Sequence, residues 1–264
     1  MLPVLEVGPW QISTYGLSFV IALLVAGPLA CQRVLDGLDL PPRVNVWGPT
    51  LAVVGGFLGG WTVRLLPTLD HFVSTGQLEV VGGNSFTGMA VGIFVACGLF
   101  YRHERVSLGR AFDLLYVPLP LGQAIGRLGC LAAGCCYGLP TGSWLGVALP
   151  DHRGLWLNRY PTQPIASATN LLIFVTLLLV ERRGLRRDGR PSEGRLWPFD
   201  GFLFLLYLSL YGLQRFLSEF LRGDARPVLG PFTIVHAHTA AVFVLAAVLI
   251  LRQFVRRSRS GDPS

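Results

Sequence analysis

The sequence predicts an all-α integral membrane protein with about seven transmembrane helices, because of its composition, its apolar segments and its arginine distribution. Hydrophobic residues make up 52% of the 264 residues and charged residues only 14%, and the mean hydropathy is +0.52. A soluble domain carries roughly 25% charged residues, so these charges are too few to cover a water-facing surface. Lipid is therefore the expected solvent, and residues 1–264 are expected to form a single transmembrane domain.

Apolar segments of roughly the length that crosses a bilayer, about 20 residues, mark the predicted helices. They cover residues 15–34, 45–66, 86–101, 111–131, 165–180, 199–220 and 232–254. Pro28 predicts a kink in the first helix, and Pro118 and Pro120 interrupt the fourth. No basic segment precedes the first apolar stretch as it would in a cleaved signal peptide, so we expect this stretch to stay as a helix.

The arginines predict the orientation of these helices. All 22 basic residues are Arg; 15 lie in one set of alternating loops, five in the other set and two within spans. The positive-inside rule places the arginine-rich side in the cytoplasm, with the N-terminus outside, the C-terminus inside, an Arg-rich cytoplasmic loop over 182–195 and a basic cytoplasmic tail over 255–264. Topology thus explains the net charge of +7, and no nucleic-acid partner is expected.

Polar residues interrupt the apolar pattern in five stretches that this topology places at the outer membrane face. They are Tyr15, 82–88, 126–141, 160–163 and 215–226. Separate stretches that meet at one membrane face predict a functional site there.

Arg127 is the strongest single signal, because a charged residue in an apolar span costs at least about 2.5 to 3.5 kcal/mol. It is either an arginine that extends to the interface near a helix end, or a guanidinium held between Gly126 and Gly129 to bind an anion. At an outer membrane face the expected anion is a lipid phosphate.

A second charged group lies near the end of the sixth predicted helix. Arg215, Glu219 and Arg222 are spaced i, i+4 and i+7 and so share one helical face. They form either an interfacial salt bridge or a site in which Glu219 orients one arginine while the other contacts phosphate.

Three of the five cysteines are close in sequence, as Cys130, Cys135 and Cys136. A metal is not expected, because zinc sites have better-spaced pairs and further ligands. The thiols could form a disulfide, serve as a nucleophile activated by a guanidinium, or pack as small apolar side chains.

Two histidines, His236 and His238, stand at the outer start of the seventh predicted helix. Imidazole at such a place can act as a general acid or base. The alternative is an interfacial residue that forms ordinary hydrogen bonds.

At these residues the chain resembles the prolipoprotein diacylglyceryl transferase family. The shared motifs occur in the same order over nearly the whole length: Tyr15-Gly16, G-G-x-S-F-x-G before the third helix, Gly-Arg-x-Gly at 126–129, P-T-Q at 161–163 and Y-G-x-x-R-F-x-x-E-F-x-R at 211–222. The resemblance implies that phosphatidylglycerol, or a similar phospholipid, donates its diacylglyceryl group to the lipobox cysteine thiol of preprolipoprotein signal peptides. The products are a thioether and glycerol phosphate. It also implies a multi-pass protein of the bacterial inner membrane.

The resemblance implies the site residues as well, with no cofactor and no metal. The expected catalytic residues are Arg127, Arg215 and Glu219, to which the histidine chemistry above adds His236. The expected substrate-binding residues are Tyr15, Ser85, Thr87, Gly88, Gly126, Gly129, Gly138, Gln163 and Arg222.

The chain departs from the family pattern at several positions. Two Asn and one Glu of the family motif are replaced here by Cys130, Ala133 and Cys135, and two family His by Thr87 and Tyr160. The arginines that would bind phosphate are kept while the histidine assigned to proton handling is absent. This pattern is typical of a divergent branch or paralogue.

The residue chemistry fits alkyl transfer to a thiol. Cleavage of the glyceryl C–O bond leaves negative charge on a phosphate, which preorganised guanidiniums stabilise. The attacking thiol must be a thiolate, which Arg127 could stabilise or His236 or His238 could generate. Two other functions remain open: a non-catalytic phospholipid-binding paralogue, and a membrane thiol-redox protein that uses the three cysteines.

Overall fold

A computed structural model describes residues 4–38, 40–41, 44, 46–76, 86–150, 154–184, 199–224 and 228–260. Its helices are α1 (Thr14–Gly37), α2 (Trp47–Thr75), α3 (Phe86–His103), α4 (Leu108–Tyr116), α5 (Leu119–Ala133), α6 (Thr162–Gly184), α7 (Phe202–Glu219) and α8 (Ile234–Ser260). Two short antiparallel hairpins pair β1 (Val4–Val7) with β2 (Trp10–Ser13) and β3 (Val147–Pro150) with β4 (Trp156–Arg159). The mainly helical fold is confirmed, and neither hairpin was predicted.

The interruption predicted in the fourth span at Pro118 and Pro120 is confirmed, because residues 111–131 belong to two helices. Helix α4 ends at Tyr116 and α5 begins at Leu119. Pro118 precedes α5 and Pro120 lies in its first turn, where a residue without an N–H loses no intrahelical hydrogen bond. The prolines therefore separate two helices rather than kinking one.

Within the described residues, four segments are long and apolar enough to cross a membrane: Thr14–Gly37, Leu108–Ala133, Thr162–Arg182 and Ile234–Arg256. Large apolar side chains are exposed along them, including Leu24 at 70%, Leu172 at 64% and Leu245 at 60%. Such surfaces are unfavourable in water and ordinary in lipid. The described residues therefore belong to a helical membrane protein, while the count of seven spans and the orientation stay predictions.

The chain divides into two compact units. The first comprises residues 1–29 and 116–264. In it, α1 packs on α5 through small residues: a Cβ added to Gly129 would lie 2.4 Å from the Ser18 Cβ, and one added to Gly122 would lie 3.3 Å from the Ala26 Cβ. The two glycines are seven residues apart, about two helical turns, so they lie on one face of α5. This close contact places the N-terminal end of α1 beside the C-terminal half of α5.

The second unit comprises residues 30–115. Its helices α2 and α3 touch through their backbones, since a Cβ on Gly92 would lie 2.0 Å from the Gly55 carbonyl oxygen and one on Gly59 would lie 2.3 Å from the Gly88 carbonyl oxygen. Small residues allow this approach, as they commonly do between membrane helices. Gly88, expected to bind substrate, is therefore part of a helix–helix contact.

Candidate active site

The last turn of α7 carries a buried ion pair. The Arg215 Nη1 lies 2.5 Å from the Glu219 Oε2, and the two side chains are 12% and 3% exposed. The Arg222 Nε lies 3.7 Å from the same oxygen, because the backbone continues in a turn in which the Arg222 N–H donates to the Glu219 carbonyl. Arg215 and Glu219 share one face of α7 as predicted, but α7 ends at Glu219, so Arg222 reaches the same carboxylate from the turn that follows the helix.

Arg222 is also held by a second carboxylate, which the sequence analysis missed. Its Nε and Nη2 donate to the Oδ1 and Oδ2 of Asp224 over 2.9 and 2.7 Å, the paired geometry that makes arginine–carboxylate contacts strong. Burial alone would lower the pKa of Arg222, but the hydrogen bonds to Asp224 and nearby negative groups raise it overall. Arg222 therefore stays charged and fixed in direction.

Arg127 brings a third guanidinium to the same place. It projects from α5, half-buried, and interacts electrostatically with Arg222 and with Arg215. No carboxylate among the described residues lies within the 4.0 Å ion-pair distance of Arg127. Arg215 and Arg222 are thus paired with Glu219 and Asp224, and the positive charge of Arg127 is left for an anion to neutralise.

The three cysteines meet beside these arginines. Gly134 ends α5 in the left-handed conformation at φ 74°, and Cys136 adopts φ 58°, so the chain turns back and brings Cys135 and Cys136 onto Cys130. The three Sγ atoms lie within 4.8 Å of one another, and all three thiols are free. Hydrogen bonds from the Cys130 and Cys135 thiols, with the neighbouring guanidiniums, lower the pKa of Cys136 although burial opposes this.

The start of α6 holds this cysteine turn in place. The Gln163 Nε2 donates to the Cys135 carbonyl over 2.9 Å, and the Thr162 hydroxyl donates to the Cys136 carbonyl over 2.8 Å. Gln163 is only 1% exposed. A left-handed non-glycine residue costs on the order of 1–3 kcal/mol, which these bonds help to offset. Gln163, expected to bind substrate, thus contacts the cysteine backbone.

Gly138 permits a close approach of three backbone segments. Residue 138 bridges to Arg222, while the flanking Leu139 N–H donates to the Leu221 carbonyl over 2.8 Å. A Cβ on Gly138 would lie 2.1 Å from the Tyr160 carbonyl oxygen, so only glycine fits. This contact sets the backbone position of Arg222.

Arg159 is a buried guanidinium, whereas the sequence predicted only an ordinary loop arginine at this position. It is 4% exposed, donates from Nη1 to the Gly138 carbonyl over 3.4 Å and lies 4.9 Å from the centre of the Tyr137 ring, as in a cation–π contact. Next to it, hydrogen bonds with the Thr141 and Ser143 hydroxyls lower the pKa of Tyr160. The available signal was the position of Arg159 directly before the polar 160–163 stretch.

His236 is enclosed by protein. It is 1% exposed, and its Nδ1 accepts the Thr233 backbone N–H over 3.0 Å, which places the proton of a neutral ring on Nε2. That Nε2 has no hydrogen-bond partner within the described part of the chain. The ring lies 4.3 to 5.5 Å, centre to centre, from three phenyl rings: Phe216, Phe220 and Phe232. His238 is exposed, and its Nδ1 lies 3.2 Å from the Ile234 carbonyl oxygen of its own helix.

Thr233 connects this histidine to the ion pairs. Its hydroxyl donates to the Glu219 Oε1 over 3.0 Å and accepts the His236 backbone N–H over 3.4 Å, so it also caps α8. Thr233 was not among the predicted site residues, although a threonine directly before an apolar run is a recognisable N-cap.

The other expected substrate-binding residues are placed differently from one another. Tyr15 is 49% exposed at the start of α1 and interacts electrostatically with Arg127 and the three cysteines. A side chain at position 126 would enter open space, whereas the space for a side chain at Gly129 is occupied by the Ser18 side chain. Ser85 and the side chain of Thr87 lie outside the described residues.

Comparison with known proteins identifies relatives over most of the chain. A family model described as prolipoprotein diacylglyceryl transferase matches residues 3–252. Similar proteins named phosphatidylglycerol–prolipoprotein diacylglyceryl transferase occur in Clostridium tetani, 29% identical over 232 residues that cover 86% of this chain and 87% of the relative, and in Symbiobacterium thermophilum, 29% identical over 269 residues that cover 98% and 94%. The protein of that name from Rhodospirillum rubrum is 31% identical over 239 residues, covering 83% of this chain and 79% of its own.

Proposed function

Because the chain belongs to the prolipoprotein diacylglyceryl transferase family, we propose that it moves a diacylglyceryl group from phosphatidylglycerol to the cysteine thiol of a preprolipoprotein signal peptide. The observation that carries this proposal is the arginine cluster, defined as Arg127, Arg215 and Arg222. It has one more positive charge than its two carboxylates neutralise. A phospholipid phosphate supplies the missing negative charge.

Arg127 and Arg222 bind the donor phosphate in this mechanism. The thiolate sulfur attacks the glyceryl carbon, the S–C thioether bond forms, and the C–O bond breaks with its electron pair passing to the phosphate oxygen. Fixed guanidiniums stabilise the charge that develops there; loss of one preorganised donor of this kind typically costs about 10²- to 10³-fold in rate.

Glu219 positions the arginines. It is 4% exposed, and its Oε2 faces Arg215 and Arg222 while its Oε1 accepts the Thr233 hydroxyl. A carboxylate so enclosed has no free face for the substrate thiol. We assign it the role of holding two guanidiniums in fixed directions.

His236 is proposed as a positioning residue too. Its Nδ1 is used by the Thr233 N–H and its ring is surrounded by phenyl groups, so it acts on Glu219 through Thr233. The substrate thiol then loses its proton to water under the positive field of the arginine cluster, which favours a thiolate.

The proposed setting is a bacterial inner membrane, with seven spans and the arginine cluster near the outer face. Its support is the excess of arginine in one set of loops. A fluorescent protein fused after Ser264 should fluoresce, since it folds in the cytoplasm and not when exported by the general secretory route. A dark but intact fusion would reverse the orientation.

Arg127→Ala tests the reaction. In vesicles of phosphatidylglycerol with a lipobox peptide, we expect transfer to fall about 10²- to 10³-fold, with Arg127→Lys intermediate because lysine keeps charge without the two-pronged geometry. Arg252→Ala, at an exposed position of α8, is the matched control. Full transfer by Arg127→Ala would remove the phosphate-binding role.

A rescue experiment separates the transferase from a non-catalytic paralogue. If the unaltered chain binds lipid but does not rescue a strain depleted of its own transferase, the chain is a non-catalytic paralogue.

A further inference from the structure

The proposed transfer reaction makes no use of the three thiols at the end of α5. We propose that Cys130, Cys135 and Cys136 form a binding site for a thiophilic metal ion of the Zn²⁺, Cd²⁺ or Cu⁺ class. This inference concerns binding alone and holds whether or not the chain is a transferase.

The distances between the sulfurs fit a shared ion. A zinc–sulfur bond of about 2.3 Å places sulfurs about 3.8 Å apart in a tetrahedral site and about 4.0 Å apart in a trigonal one. The three Sγ atoms already lie within 4.8 Å of one another, so each pair needs to close by no more than about 1 Å. A disulfide would bring two sulfurs to about 2.05 Å and leave the third thiol unused.

The backbone that carries the ligands is held in advance. The left-handed residues Gly134 and Cys136 make the turn, and side chains of α6 bind the Cys135 and Cys136 carbonyls. Outer-shell hydrogen bonds of this kind orient metal ligands and raise affinity. The sequence spacing lacks the second pair of ligands typical of zinc sites, but the turn brings three sulfurs together without it.

The surrounding charge suits an anionic metal–thiolate group. Three thiolates with a divalent ion carry one net negative charge, and Cys136 interacts electrostatically with Arg222 and Arg127. Soft thiolate ligands select Cu⁺ and Zn²⁺ over Mg²⁺ and Ca²⁺. Binding forms three sulfur–metal bonds and releases the thiol protons to solvent, with no change in oxidation state.

The test uses the full-length chain, purified in detergent and reduced, and Cd²⁺ as the probe. The Cys31→Ser/Cys97→Ser variant removes the two remaining cysteines and isolates the cluster. We expect one equivalent of Cd²⁺ to produce a thiolate-to-metal charge-transfer band in the ultraviolet and to protect three thiols from a maleimide. Cys135→Ser should weaken Cd²⁺ binding at least about tenfold.

Protection from the maleimide can also be measured in the unaltered protein, because mass spectrometry identifies which cysteines have been modified. Protection of Cys130, Cys135 and Cys136, but not of Cys31, supports the site. The inference is overturned by unchanged maleimide reaction of the three thiols in excess Cd²⁺. It is equally overturned if protein isolated without reductant has a disulfide within the cluster, with only one of the three thiols free to react.

Discussion

Replacing Glu219 by Gln should destabilise the protein by about 3–5 kcal/mol, the usual cost of removing one partner from a buried ion pair. The cost of breaking a buried ion pair applies here, rather than that of an exposed pair, because the Arg215 and Glu219 side chains are only 12% and 3% exposed. Gln has nearly the same shape, so the change removes charge and little packing. The arginine cluster would then retain only Asp224 as a neutralising carboxylate.

Thr233 provides the matched comparison for this prediction. Thr233→Val keeps the shape of the side chain and removes the hydroxyl that donates to Glu219 over 3.0 Å. The lost hydrogen bond to a charged group contributes about 1.5–3 kcal/mol and the lost cap of α8 about 0.5–2 kcal/mol, so Thr233→Val should cost about 2–5 kcal/mol, a range that overlaps that of Glu219→Gln. Thr233→Ser, which keeps the hydroxyl, should have nearly the same unfolding free energy as the unaltered protein.

The assay is equilibrium unfolding in mixed detergent micelles, with and without inorganic phosphate. Phosphate should stabilise Glu219→Gln more than the unaltered protein, because the variant has a larger uncompensated positive charge. A loss below about 1 kcal/mol, the range of an exposed ion pair, together with no added response to phosphate, would refute the role of Glu219 as the buried partner of the arginines.

Two further predictions concern the segments next to the arginine cluster. Gly138→Ala should cost about 1–3 kcal/mol or more in unfolding free energy and weaken transfer, because the new methyl would lie 2.1 Å from the Tyr160 carbonyl oxygen. Gly142→Ala is the control, since the space around Gly142 is open, and its unfolding free energy should change by no more than about 0.5 kcal/mol. Equal costs for the two variants would contradict the close approach of Gly138 to Tyr160. Cys136, whose pKa is lowered chiefly by the Cys130 thiol, should gain less in alkylation rate from about pH 6 to pH 8.5 than an ordinary thiol does. An ordinary thiol speeds up roughly a hundredfold over that range, and such a rise, measured by mass spectrometry of the modified peptide, would show that no thiolate is stabilised.

Local features of the chain were predicted well because their causes are local. Apolar segments of spanning length located the helical regions, and the i, i+4 spacing of Arg215 and Glu219 was enough to pair them on one face of α7. Arg222 lies beyond the end of that helix. The interruption predicted at Pro118 is a full break between two helices, which the apolar count alone does not reveal. Hydropathy reports burial in lipid, not continuity of backbone hydrogen bonds.

Spacing along the sequence could not predict which distant residues contact one another within the site. Thr233 meets Glu219 from 14 residues away, and Gln163 meets the Cys135 carbonyl from 28 residues away. Both contacts depend on how the chain returns after a helix. His236 has the residue type of a base, but the packing of phenyl rings decides what its nitrogens can contact.

The sequence by itself determined the solvent of this protein and the chemical types at its site, since hydrophobicity, charge and residue spacing are properties of the chain alone. Only the tertiary structure decided which charges neutralise one another and which thiols meet. The excess positive charge around Arg127 is a sum over α5, α7 and the turn after α7. The cysteine cluster exists because left-handed residues at 134 and 136 fold the chain back on α5. Distances between side chains separated along the chain follow from packing, and packing is fixed only when the whole unit has folded.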